Sequence, residues 1–135
     1  MTIDRHGLKI HIAGASILVA EREAIARTSL SELFRDEGHR VHEAADSSSA
    51  IVQMSKDPGV KVILLDIEMP SWRSVVTHAR DTLPAAVILG MSAQDSNRVA
   101  REAQRLSVHG YLVKPLQFDD VCKTILRLMA GRPLR

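Results

Sequence analysis

The chain has a single cysteine, Cys122, so no disulfide can form within it. A lone thiol suits a reducing cytosol, and Cys122 reads as a small buried apolar residue on a helix. Aromatic residues make up only 3% of the chain, so Leu, Ile, Val, Met and Ala must fill any core. No apolar run approaches the ~20 residues that a membrane-spanning helix needs. Asp4, Arg5, His6 and Lys9 interrupt the N-terminus where a signal peptide would require an apolar segment. Charge of one sign is scarce too: the net +2 gives no clustered basic face for nucleic acid. Six histidines are present, but none stands with a cysteine at zinc-ligand spacing. His39 and His42 lie three positions apart on an expected strand and therefore point to opposite faces.

What is there is ordinary for a globular protein, with 45% apolar and 25% charged residues. The 135 residues predict one domain, large enough to bury a core unaided. Residues 1–15 match no regular pattern and read as an N-terminal extension; 16–130 form the domain and 131–135 a tail. Ser16-Ile17-Leu18-Val19-Ala20 is a short apolar run that stops at Glu21-Arg22-Glu23, which suits a strand buried on both faces. Ile25, Leu30, Leu33 and Phe34 recur at near-helical spacing up to Gly38, a helix stop. Arg40–Ala44 is a more polar strand, expected near a sheet edge. Asp46 and Ser47–Ser49 offer a cap for a helix carrying Ala50, Ile51 and Met54, ended by Asp57-Pro58-Gly59. Val60–Leu65 is the strongest strand and delivers Asp66 at its end. A short helix is expected over 74–80, a buried strand over 85–91 and an Arg-rich helix over 96–106. Tyr111–Val113 is a short strand before Lys114-Pro115, and 118–130 closes as an amphipathic helix. Strands alternating with helices five times predict an α/β fold of the (βα)5 type: a doubly wound, five-stranded parallel sheet covered on both faces.

In such sheets ligands bind beyond the carboxyl ends of the strands. Four strand ends carry polar groups here: Glu21 and Arg22, Asp66, Ser92, and Lys114. A carboxylate, a hydroxyl and an ammonium converging on one edge can serve phosphoryl transfer. Asp66 is the candidate nucleophile. Lys114 can neutralise phosphoryl oxygens and Ser92 can donate a hydrogen bond to them. A pair of carboxylates can also hold Mg²⁺, which prefers oxygen ligands. No Gly-rich phosphate loop follows the first strand, which argues against a small flavodoxin-like enzyme or cofactor binder.

Several stretches carry a family resemblance over about residues 15–130. Ile63-Leu64-Leu65-Asp66-Ile67-Glu68-Met69-Pro70 and Gly110-Tyr111-Leu112-Val113-Lys114-Pro115 are specific in combination, with Ile17–Glu21, Gly38–Val41 and Glu43–Asp46 in support. The chain resembles the CheY-like receiver domain of two-component response regulators. The resemblance implies a phosphorelay phosphoprotein: Asp66 is the acceptor of a phosphoryl group from a histidine kinase or phosphotransfer protein, and an aspartyl phosphate forms there. Ser92 matches the hydroxyl residue that senses phosphorylation and Tyr111 the aromatic switch. Lys114 matches the phosphate-binding lysine, with a cis bond to Pro115. Mg²⁺ would be held by Glu21, Asp66 and the backbone carbonyl of Glu68. The resemblance also implies a cytoplasmic signalling domain rather than an enzyme, a downstream protein partner, and a partner or homodimer surface on the fourth helix, fifth strand and fifth helix. Arg98, Arg101, Arg105, Asp119 and Asp120 fall there. Neither membrane nor direct nucleic-acid binding is expected, since no helix-turn-helix follows the domain.

Two departures stand out. The family has two adjacent acids after the first strand, and the second ligates Mg²⁺ directly; here it is Arg22, which has no acceptor. Arg22 would repel the cation and pair with Asp66, which predicts a weak or missing metal site. It also raises the alternative of a pseudo-receiver, a phosphorylation-independent interaction module. Arg22 can equally supply positive charge itself, as arginine fingers do. After Met69-Pro70 the family's Gly-containing turn is replaced by Ser71-Trp72-Arg73-Ser74, so a reshaped loop is expected, with Trp72 at its edge.

Overall fold

The computed structural model describes residues 16–94 and 97–130; the extension and the tail expected from sequence lie outside them. The elements run β1 (Ser16–Ala20), α1 (Ala24–Asp36), β2 (Arg40–Ala44), α2 (Ser47–Lys56) and β3 (Val60–Asp66). They continue with α3 (Trp72–Thr82), β4 (Val87–Ser92), α4 (Asn97–Arg105), β5 (Gly110–Val113) and α5 (Phe118–Ala130). All five strands are parallel, in the order β2-β1-β3-β4-β5. The polar strand β2 is at an edge, as its composition suggests.

Alternation along the strands explains the unbroken apolar runs. Ile17, Val19, Val62, Leu64, Leu89 and Met91 point to one face and pack on Leu30 and Phe34 of α1 and Val121, Cys122 and Ile125 of α5. Leu18, Ala20, Ile63, Leu65 and Ile88 point to the other and meet α2, α3 and α4. The central strands thus need consecutive apolar residues over Ile17–Ala20 and Val62–Leu65, and helices close both faces. Cys122 is fully buried in the first of these layers.

Local signals set the helix ends. Asp46 caps α2 by accepting from the Ser49 N–H at 2.8 Å. Gly38, at φ 92°, ends α1: its N–H reaches Arg35 O at 2.9 Å and the His39 N–H reaches Phe34 O at 3.1 Å, a Schellman arrangement.

Three expectations shift. Ile25 is 77% exposed and outside the core. Five residues separate it from Leu30, roughly 140° around a helix, whereas Leu30 and Phe34 share a face. The third helix is longer than 74–80, because Ser71 adopts the left-handed conformation (φ 63°) and starts α3 at Trp72. β4 begins two residues later than expected, because the chain turns first, with the Ala86 N–H bonded to Leu83 O at 2.9 Å. Among the described residues no helix is long and apolar enough to cross a membrane.

Candidate functional site

The strand order reverses about β1, so the connections leaving the paired strands β1 and β3 run to opposite sides and open a crevice at their carboxyl ends. The fold brings Glu21, Asp66 and Lys114 together there. Asp66, the last residue of β3, is fully buried. Its Oδ1 accepts from the Glu68 N–H at 2.9 Å. Its Oδ2 faces Lys114 Nζ at 3.7 Å and Arg22 Nε at 3.5 Å. Glu21 is also buried. One of its carboxylate oxygens pairs with Lys114 Nζ, and the other accepts from the Glu23 N–H at 2.9 Å. Arg27 Nη1 donates to the Glu21 carbonyl at 2.9 Å and fixes that turn.

Two buried carboxylates side by side push each other's titration apart. Burial raises the Asp66 carboxyl above the ordinary value, and the charge of Glu21 adds to it, against the Glu68 N–H and Lys114. Burial works the same way on Glu21, but the Glu23 N–H, the Lys114 ammonium and a hydrogen bond with Asp66 outweigh it and hold Glu21 low.

Arg22 lies across the mouth with its side chain half exposed. Besides facing Asp66, its Nη1 donates to the Glu68 carbonyl at 3.4 Å and its Nη2 lies 3.8 Å from Glu68 Oε1. The guanidinium therefore stands among the oxygens to which the family resemblance assigns Mg²⁺. The Glu68 carbonyl and Asp66 Oδ2 face N–H groups of Arg22, and Glu21 is taken by Lys114. These residues do not fit the ion in this arrangement. Among the described residues no three His, Cys, Asp or Glu side chains converge as a metal site.

Ser92 ends β4 fully buried, and its Oγ accepts from the Gln94 N–H at 3.0 Å. Its carbonyl accepts from the Lys114 N–H at 2.8 Å, tying β4 to the lysine. The Tyr111 hydroxyl donates to the Gln94 carbonyl, so both expected switch residues hold the same neighbour. The Lys114–Pro115 bond is cis. In the reshaped loop Ser47 Oγ donates to Pro70 O at 2.6 Å. Trp72 is buried as a packing residue beneath Arg73, whose guanidinium lies 4.7 Å from the ring centroid. Sequence reasoning missed the Glu68 side chain, whose Oε2 accepts from the Ala93 N–H at 2.7 Å. Its position two residues after Asp66 was visible, but its direction was not.

Fold and topology define the class: five parallel strands in the order 2-1-3-4-5 with five helices make the CheY-like, flavodoxin-like architecture. Residues 17–126 match the response regulator receiver domain family, to which the chain belongs. It is similar to the transcriptional regulatory protein PdtaR of Mycobacterium tuberculosis, with 28% identity over 81% of this chain and 54% of the relative. The positive alginate biosynthesis regulatory protein of Pseudomonas aeruginosa is 32% identical over 89% of this chain and 48% of its own length. The chain thus spans about half the length of these curated relatives. Among solved structures, the chemotaxis response regulator CheY4 of Vibrio cholerae superposes with a TM-score of 0.76 at 26% identity, covering 84% of this chain and 98% of that one. Receiver domains are signalling domains that interact with histidine kinases or phosphotransfer proteins and typically bind Mg²⁺.

Proposed function

We propose that the chain accepts a phosphoryl group on Asp66 from a histidine kinase or phosphotransfer protein and signals by changing its binding surface. The observation that carries this reading is the buried Asp66 carboxylate whose Oδ2 faces Lys114 Nζ at 3.7 Å. In the transfer, an Asp66 oxygen attacks phosphorus, the phosphorus–nitrogen bond of the donor histidine breaks, and its electron pair returns to the imidazole. Lys114 offsets charge on the phosphoryl oxygens, and Ser92 is the hydroxyl that turns toward them. Turning Ser92 releases the Gln94 N–H, and Gln94 also holds Tyr111, so one residue links acceptor chemistry to the aromatic switch.

An apolar groove of about 510 Å³ beside Lys114 is lined by Ala26, Leu30, Leu33, Met91, Leu116 and Phe118 and suits the donor's docking helix. Exposed Arg98, Arg101 and Arg105 on α4, Val113 on β5 and Asp120 on α5 supply the output surface, for a downstream protein or a second copy. Arg22 favours a second reading, the pseudo-receiver that binds partners without phosphorylation. Incubation with acetyl phosphate, with and without Mg²⁺, followed by intact mass separates the two. The phosphoacceptor reading expects one phosphoryl adduct that Asp66→Asn abolishes; the pseudo-receiver expects none.

A further inference from the structure

We propose that the acceptor pocket is filled from within: the Glu68 carboxylate occupies the anion site formed by the Ala93 N–H, and Arg22 holds it there. This rests on Asp66 being the acceptor. Glu68 lies in the loop after β3, yet its side chain crosses to the loop after β4, 25 positions away. The 2.7 Å contact is in the range of charge-assisted hydrogen bonds. Of the other loop N–H groups facing the pocket carboxylates, that of Glu68 is engaged locally by Asp66 and that of Glu23 by Glu21, while that of Arg22 donates to the acceptor Asp66 itself at 3.5 Å. The Ala93 N–H, next to the buried Ser92, is instead taken by a carboxylate from another loop. A backbone donor that holds one anionic oxygen on this edge is suited to hold another, such as a phosphoryl oxygen.

Arg22 grips the same residue twice, at its carbonyl and near its carboxylate. The cation's place and the anion's place are thus joined by one ion pair. An incoming phosphoryl group brings about two negative charges and cannot share the Ala93 N–H with a carboxylate. Glu68 must swing out first, and Arg22, which positions it, must let go.

The probe is inorganic phosphate, followed at the Ala93 amide by NMR in the wild type, Glu68→Ala and Glu68→Asp. Asp keeps the charge but is one methylene shorter and fails to reach. The wild-type amide is expected to stay put where both variants shift saturably. Both variants should also be labelled by acetyl phosphate about tenfold faster, equivalent to ~1.4 kcal/mol. The proposal is overturned if the wild-type amide responds as Glu68→Ala does, if no variant responds, or if Glu68→Asp behaves as wild type. Failure of the acceptor reading looks different: no Asp66 adduct on any chain, while the variants' Ala93 amide still shifts.

Discussion

Replacing Arg22 by Asp removes a guanidinium from beside two candidate metal oxygens, Asp66 Oδ2 and the Glu68 carbonyl, and puts a carboxylate in its place. In the structure the guanidinium lies 3.5 Å from Asp66 Oδ2 and 3.4 Å from the Glu68 carbonyl, so a cation bound to both would sit against it. The Arg22 side chain is 51% exposed, which calls for an effective dielectric well above that of an interior. At a dielectric of ~60, Mg²⁺ at ~5 Å from a unit charge interacts with it by roughly 2 kcal/mol. Reversing the charge doubles this to an upper bound of roughly 4 kcal/mol, and Arg22 can relieve most of its own share by swinging into solvent. What remains is the added oxygen ligand and a reduced repulsion, so a gain of at least about tenfold in affinity is expected, or ~1.4 kcal/mol. Isothermal titration calorimetry with MgCl₂ reads this directly. Equal affinity in wild type and Arg22→Asp would refute the reasoning, because it would mean that Arg22 is no obstacle to the ion.

Three further perturbations follow from the structure. Burial raises the Asp66 carboxyl, so its stability contribution belongs to the protonated form; it is present below the unfolded pKa and lost as pH rises through the folded value. Asp66→Asn should therefore raise Tm at neutral pH, by roughly 2–8 °C for each kcal/mol recovered, with the gain shrinking on acidification; a lower Tm at neutral pH would contradict this. At the opposite end of the sheet, the Ser16 hydroxyl and then the His42 ring hold the Asp57 carboxyl down to about 2. That contribution is present above the unfolded pKa of ~3.9 and lost as pH falls toward 2. Ser16→Ala should move the acid-unfolding midpoint, followed by circular dichroism, to higher pH and cost about 1–2 kcal/mol; an unmoved midpoint would discount the contact. Gly38→Ala forces a side chain into the left-handed conformation that closes α1 and should cost about 1 kcal/mol in urea unfolding, with no loss counting against the cap.

Most of the fold was legible because its signals are local. Ile17–Ala20 in β1 and Val62–Leu65 in β3 are unbroken apolar runs, which strands covered on both faces require, and the alternation with helices then leaves one family of sheet topologies. β2, α2 and α5 fell where their caps and patterns put them. Ile25 misled because hydrophobicity at the start of a helix says nothing about its angle to the core. α3 was underestimated because a left-handed Ser71 is not a sequence signal for a helix start. In the site, strand ends supplied Asp66, Lys114, Glu21 and Ser92 as neighbours from topology alone. The Arg22–Asp66 contact follows from their adjacent strand ends and opposite charge. The Glu68 bridge was not legible, since it depends on how two loops far apart in sequence face one another.

The central claim is that Asp66 receives the phosphoryl group, and intact mass after acetyl phosphate treatment tests it most directly. The wild type should gain one phosphoryl adduct, and Asp66→Asn, which keeps the shape of the side chain but not its nucleophile, should gain none. An adduct that persists on Asp66→Asn, or a wild type that stays unmodified with and without Mg²⁺, would contradict the account.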